Sequence, residues 1–256
     1  MNRSTLVWDL PTRLFHVVFG ASFLGAYAIA VATEDRAAIF VVHMLLGAVA
    51  AFAVTLRALW GLIGSRYARF ASFVPGLSSV VAYLKDLRSA RGASHVGHNP
   101  ASSVVILGMF VAMLGVAGTG ALIGTFGHSI KEVHELLSHA LFALAAIHLA
   151  GVLAHALRKR DGLVLSMVDG KKDAAPAEGI RSAHPGVALA FVAMTAAFAV
   201  GLVQGYDSAT RTVSIPVVGQ QIKVGRPPRG DRGPRQPESS AQRADADGDD
   251  DDDDDD

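Results

Sequence analysis

The sequence predicts an all-α membrane protein: a transmembrane four-helix bundle, a fifth transmembrane helix and a disordered acidic tail. Three observations predict it. Of 256 residues, 51% are hydrophobic and only 18% charged, and the mean hydropathy is +0.36, a balance typical of membrane chains. Five apolar stretches reach the roughly 20 residues that cross a bilayer core. Beyond Asp207 the chain turns to Pro, Gly, Arg and Gln and ends in Asp245, Asp247 and an unbroken run from Asp249 to Asp256, a composition that cannot bury enough apolar surface to order itself.

In chain order, the spans are expected near 12–32, 38–63, 102–124, 133–157 and 185–204. The first is expected to be retained and not cleaved as a signal, because WDLPTRLFH is no short basic leader and no small-residue cleavage site follows before Thr33-Glu34. Residues 79–91 alternate apolar and basic positions at helical spacing, which suits either an interfacial helix or a solvated loop helix. Asn99-Pro100 marks the entry to the third span. A β-like piece, TRTVSIPVVGQQIKV from Thr210, is expected to pair locally. The domain plan is a four-span core over 1–172, a linker with the fifth span over 173–205, and the disordered tail over 206–256.

Charge sets the orientation, since basic connections stay in the cytoplasm. The connection after span two carries Arg66, Arg69, Lys85, Arg88 and Arg91 against Asp86, and the one after span four carries Arg158, Lys159, Arg160, Lys171, Lys172 and Arg181. The other two hold only Arg36 beside Glu34 and Asp35, and Lys131 beside Glu132. The N-terminus is therefore expected inside, spans one to four up-down-up-down, and the acidic tail outside. No cysteine is present, which excludes disulfides, thiolate haem ligation, iron–sulfur clusters and covalent haem attachment.

Four histidines, His16, His43, His134 and His148, lie inside the apolar segments, where an ionisable side chain marks a functional site. His134 and His148 are 14 residues apart, almost four helical turns, so both rings leave one face about 21 Å apart along the axis. The topology sorts the four by depth. His43 and His134 fall at the outer level and His16 and His148 at the inner. Zinc would need four ligands converging on one point; two separated pairs fit two haem irons, each with two imidazoles, and hence electron transfer without an open coordination site.

Gly20 follows His16 by four, Gly47 follows His43 by four and Gly151 follows His148 by three. These positions share the ligand's helix face and would give a porphyrin clearance; the alternative is ordinary small-residue contact between membrane helices. Arg57, 14 residues after His43, and Arg13, one turn before His16, are candidates for haem propionates, or else snorkel to the interface. His155 is expected in the headgroup region, His139 about 140° away from His134 on its helix, His128 in the outer loop, and His95, His98 and His184 solvated on the cytoplasmic side.

WDLPTRLFHVVFG, HMLLGAVAAFAVTLRALWGLIGSRYARF, GHNPAS and VHELLSHALFALAAIHLAGVLAHALRKRDGLVLSMVDGKK resemble the bacterial cytochrome b561 family, which includes the cytochrome b subunits of nickel–iron hydrogenases. The resemblance covers about residues 5–172. It implies a diheme b-type cytochrome core in the bacterial plasma membrane, with two haem b groups and with His16, His43, His134 and His148 on the ligand positions. Span five and the tail lie outside it. Where such proteins often carry Glu-Asn before the last Leu, this chain reads Arg160-Asp161-Gly162-Leu163, so no role is carried there.

The expected function is single-electron transfer between a periplasmic redox partner (a hydrogenase, a c-type cytochrome or another dehydrogenase) and the quinone pool, as an electron-transfer subunit in lipid with no catalytic side chain and no nucleic-acid partner. One alternative is a self-sufficient superoxide:quinone oxidoreductase, which would need a basic funnel at the outer haem, where Lys131 and His128 are the nearby cations. Another is a proton-relaying transporter or sensor, which would add intramembrane carboxylates; spans one to four carry almost none, with Glu132 and Glu135 at a boundary.

Overall fold

A computed structural model describes residues 4–35, 37–74, 76, 78, 79, 81, 82, 96–159, 163–216, 219 and 221–223. Most of the amphipathic segment at 79–91, together with His95, Arg160-Asp161-Gly162 and the polyaspartate tail, lies outside the described residues. Five helices are long and apolar enough to cross a membrane: α1 (Leu10–Ala32), α2 (Phe40–Ile63), α4 (Pro100–Phe126), α5 (His128–Lys159) and α7 (Pro185–Gln204). Short helices α3 (Phe70–Phe73) and α6 (Leu163–Asp169) follow the second and fourth spans. The fold is that of an all-α multi-pass membrane protein, with spans within a few residues of those the hydropathy predicts.

Local chemistry sets the helix ends. Asp9 caps α1 by accepting from the Thr12 amide at 2.9 Å, and Asn99 caps α4 by accepting from Ser102 at 2.8 Å; in both a proline opens the first turn, where its missing N–H costs nothing. Gly127 ends α4 at φ +70, a left-handed conformation that glycine adopts freely. It is the only residue between α4 and α5, so these two helices must fold back as a tight hairpin. His128 is accordingly the first residue of α5 and not part of an outer loop.

The helices pair as α1 with α2 and α4 with α5, and α7 packs on α1 and α2. Among the described residues α5 makes no extended close backbone approach to α1 or α2. One apolar cluster nevertheless joins the bundle: Phe15 and Phe23 of α1, Ala50, Ala53 and Val54 of α2, Met113 of α4, Leu141 of α5 and Phe191 of α7. Along α1 the rings of Phe15, Phe19, Phe23 and Tyr27 follow one another at four-residue spacing, 5.4, 5.8 and 6.0 Å apart, and Tyr27 stacks on Phe142 of α5 at 4.5 Å. Aromatic rings thus bridge the gap that the backbones leave open.

Two small sheets finish the ends. β1 (Ser4–Leu6) pairs antiparallel with β2 (Lys171–Asp173), Thr5 opposite Lys172, so the two ends of the four-span core lie on one side, as an even number of crossings requires. β3 (Tyr206–Asp207), β4 (Thr212–Ser214) and β5 (Gln221–Lys223) form a second antiparallel sheet. Composition assigned everything from 206 onward to the disordered tail; among the described residues, Tyr206–Asp207, Thr212–Ser214 and Gln221–Lys223 instead form strands, the last two within the β-like piece from Thr210. Val213 supplies the reason, packing with Phe198 and Leu202 of α7 against Met44, Leu45 and Ala48 of α2.

Candidate functional site

His16 on α1, His43 on α2 and His134 and His148 on α5 approach one another at two places. At one end, the His43 and His134 rings stand 6.3 Å apart, centroid to centroid, at 84°. Two imidazoles on opposite faces of one iron, each nitrogen about 2 Å from the metal and each ring centre roughly 1 Å beyond, would place their centroids about 6 Å apart. At the other end, His16 of α1 lies close enough to His148 and to Arg57 to interact electrostatically.

The outward nitrogen of three of these rings is already committed. His16 Nδ1 donates to the Thr12 carbonyl at 2.9 Å, His43 Nδ1 to the Ala26 carbonyl at 2.8 Å and His134 Nδ1 to the Val116 carbonyl at 3.0 Å, with Thr119 Oγ1 at 3.1 Å. A carbonyl oxygen only accepts, so Nδ1 carries the proton and Nε2 keeps its lone pair. That tautomer and that outer partner are the usual support of a metal-bound histidine. His148 differs, its Nδ1 being buried with no hydrogen-bond partner.

The glycines separate clearance from packing. A Cβ built on Gly20, Gly47 or Gly151 meets nothing within 4 Å, whereas one on Gly25 comes 3.0 Å from Leu46 and one on Gly115 comes 2.9 Å from Leu137. Helix-contact glycines are crowded; the three beside His16, His43 and His148 border open space.

Arg57 is 4% exposed and does not snorkel to the interface. Its Nη2 donates to the Ala68 carbonyl at 3.0 Å, its guanidinium lies 6.0 Å from the Phe110 ring centre, and its buried Nη1 has no hydrogen-bond partner. A buried donor left unmet asks for an anion, and a propionate would serve. Arg13 instead engages the backbone, its Nε donating to the Met167 carbonyl at 3.3 Å. Among the described residues no three His, Asp or Glu converge as a metal site.

Sequence reading missed the polar knot around the inner pair. Asp9 is 1% exposed; besides capping α1 it accepts from Trp60 Nε1 at 3.0 Å and from the Ser65 hydroxyl. His98, expected in solvent, packs edge-on against Trp8, 4.8 Å between centroids. Burial pushes its pKa down to about 3, helped by His16, Arg57, His148 and Lys172. His184, also expected in solvent, is half-buried against Trp60 at 5.2 Å and takes φ +52 at the start of α7. Two tryptophans, Trp8 and Trp60, flank this end of the bundle and were the available signal.

The remaining candidates have structural work. His139 hydrogen-bonds the Tyr27 hydroxyl at 2.8 Å, tying α5 to α1. His128 pairs with Glu132 at 3.1 Å, and Lys131 with Asp35 at 3.4 Å and Glu135 at 3.5 Å. The cations beside the outer pair thus face carboxylates.

Comparison with known proteins bears on this arrangement. The family described as prokaryotic cytochrome b561 has a sequence model that matches residues 7–170, the four-span core with all four histidines. No curated protein and no solved structure matches the chain.

Proposed function

The chain belongs to the prokaryotic cytochrome b561 family, and on that premise we propose that this membrane b-type cytochrome carries single electrons between a periplasmic redox protein and the quinone pool through two bis-histidine haems. His43 and His134 hold the outer haem, and His16 and His148 the inner one. The observation that carries this reading is the 6.3 Å His43–His134 separation, reached with both Nδ1 atoms bound to backbone carbonyls. Bound haem b supplies a one-electron Fe(III)/Fe(II) couple.

The chain's residues do the rest. The carbonyls of Thr12, Ala26 and Val116 fix the ring tautomers and leave three Nε2 lone pairs for a metal, and Arg57 Nη1 would meet a propionate of the inner haem. Arg13, its Nε held by the Met167 carbonyl, would offer its Nη groups to a second propionate from the α1 side. Gly20, Gly47 and Gly151 leave the faces of the haems clear. The 14-residue step on α5 sets His134 and His148 about 21 Å apart along the helix, so the haems they would hold would lie at two depths.

Orientation follows from charge. Lys171 and Lys172 lie on β2 opposite β1, and Arg66 donates to the nearby Ala177 carbonyl at 3.4 Å; with Arg69 and Arg181 on the same two connections, this supports placing that end in the cytoplasm of the bacterium. The His43–His134 pair then faces the periplasm. A superoxide-oxidising reading would want uncompensated cations at that face; the ion pairs of Lys131 and His128 weigh against it.

The test is direct. The purified protein should hold two b-type haems per chain and, once reduced, pass electrons to a soluble quinone analogue. A single haem, or reduced haems inert to quinone, would overturn the proposal.

A further inference from the structure

Asp9 stands seven residues before His16, and its side chain ties the start of α1 to the end of α2. The carboxylate accepts from the Thr12 amide at 2.9 Å, from Trp60 Nε1 at 3.0 Å and from the Ser65 hydroxyl. Three donors on two oxygens suit the ionised, acceptor-only form, and a charge so buried needs such partners. Trp60 lies in the last turn of α2 and Ser65 just beyond its Gly64 cap, so this one side chain joins the start of α1 to the end of α2.

The backbone carries the connection on to His16. The peptide unit between Thr12 and Arg13 donates to the Asp9 carbonyl at 3.2 Å and accepts from His16 Nδ1 at 2.9 Å. Bonds in such a chain polarise one another, and the cap holds the turn in which they sit. The carboxylate also lies within electrostatic reach of the buried Arg57 guanidinium, which in turn is within reach of His16. Asp9 is therefore the negative charge that offsets Arg57 at the inner centre.

We propose that Asp9 is a positioning residue for the inner haem, orienting His16 through the first turn of α1 and lowering the inner haem's midpoint potential by offsetting the charge of Arg57. This rests on the two-haem reading given above. The sign follows from charge: reduction removes one positive charge from the iron centre, so a nearby carboxylate favours the oxidised state, and its loss favours the reduced one.

The experiment is an optical redox titration of the purified full-length protein, with the inner haem identified as the component lost in His148→Ala. Asp9→Asn keeps a good helix cap and removes the charge, so it should retain both haems and raise the potential of the inner one alone. Ser65→Ala keeps the charge and removes one of its donors, so it should move the same haem the opposite way, by less. A purely structural role would not produce shifts of opposite sign. Unchanged potentials in both variants, equal shifts of both haems, or shifts of the same sign would overturn the proposal. If His148→Ala and His134→Ala removed the same component, the two-centre reading would fail first, independently of Asp9.

Discussion

Gly47 allows clearance for a cofactor to be separated from stability of the chain. A Cβ at Gly47 meets no heavy atom within 4 Å, so Gly47→Leu meets no immediate steric obstacle in the chain itself and should gain up to about 1 kcal/mol of helix propensity. If the open space is where the outer haem lies, the added side chain overpacks only the loaded protein. Overpacking of about 1–3 kcal/mol charged to binding alone corresponds to roughly 5- to 150-fold weaker retention. The assay compares haem content with immunodetected chain in membranes. Gly47→Leu should leave chain abundance unchanged while one of the two spectral components falls. Gly115→Leu is the contrast: its Cβ already lies 2.9 Å from Leu137, so it should lower chain abundance and take both components down together. Gly47→Leu protein that keeps both haems at wild-type content would refute the reasoning.

Three other outcomes follow from the same structure. Arg57→Leu removes the donor to the Ala68 carbonyl, a cost of about 1–3 kcal/mol, and removes a positive charge beside His16; redox titration should show the potential of one haem lowered, and an unmoved potential would contradict the placement of Arg57. His98, with its pKa held down at about 3 from 6.5, takes up its proton first in the unfolded chain, so stability should fall as pH drops below 6.5 and level off near 3, by at most about 1.4 kcal/mol per pH unit. Thermal melts in detergent between pH 6.5 and about 5 should show that slope, and His98→Phe should flatten it; an identical slope in the variant would rule His98 out as its source. Tyr27→Phe deletes the bond to His139 and should cost about 0.5–1.5 kcal/mol in melts while leaving both haem spectra intact, since His139 braces α5 against α1; loss of a spectral component would make His139 part of a haem site.

The spans were legible because hydropathy over some twenty residues is a one-dimensional signal, and the histidines because an imidazole in hydrocarbon needs a reason. The caps at Asp9 and Asn99 obey local rules, with proline at the next or second position. Less legible was whatever depends on two distant segments meeting. Nothing in the run Val96-Gly97-His98 says that His98 will lie against Trp8, because that contact needs α4 to start beside the N-terminal strand. Ser65, a small polar residue after α2, gives no hint that it will bond a buried carboxylate 56 positions away. The piece from Thr210 reads as locally pairing, but it sits in a stretch that the Pro-, Gly- and Arg-rich composition beyond it assigns to the tail. Its described strands form where Val213 finds a surface on α2 and α7 that the segment itself cannot supply. The ladder of Phe15, Phe19, Phe23 and Tyr27 could have been found, since four-residue aromatic spacing is visible in the chain. Its role in filling the gap before α5 could not.

The pairing of histidines by depth is tested most directly by spectral redox titration of four single variants, His16→Ala, His43→Ala, His134→Ala and His148→Ala. The account predicts that the His43 and His134 variants lose one and the same haem component, and that the His16 and His148 variants lose the other. Loss of different components by His43→Ala and His134→Ala would contradict it.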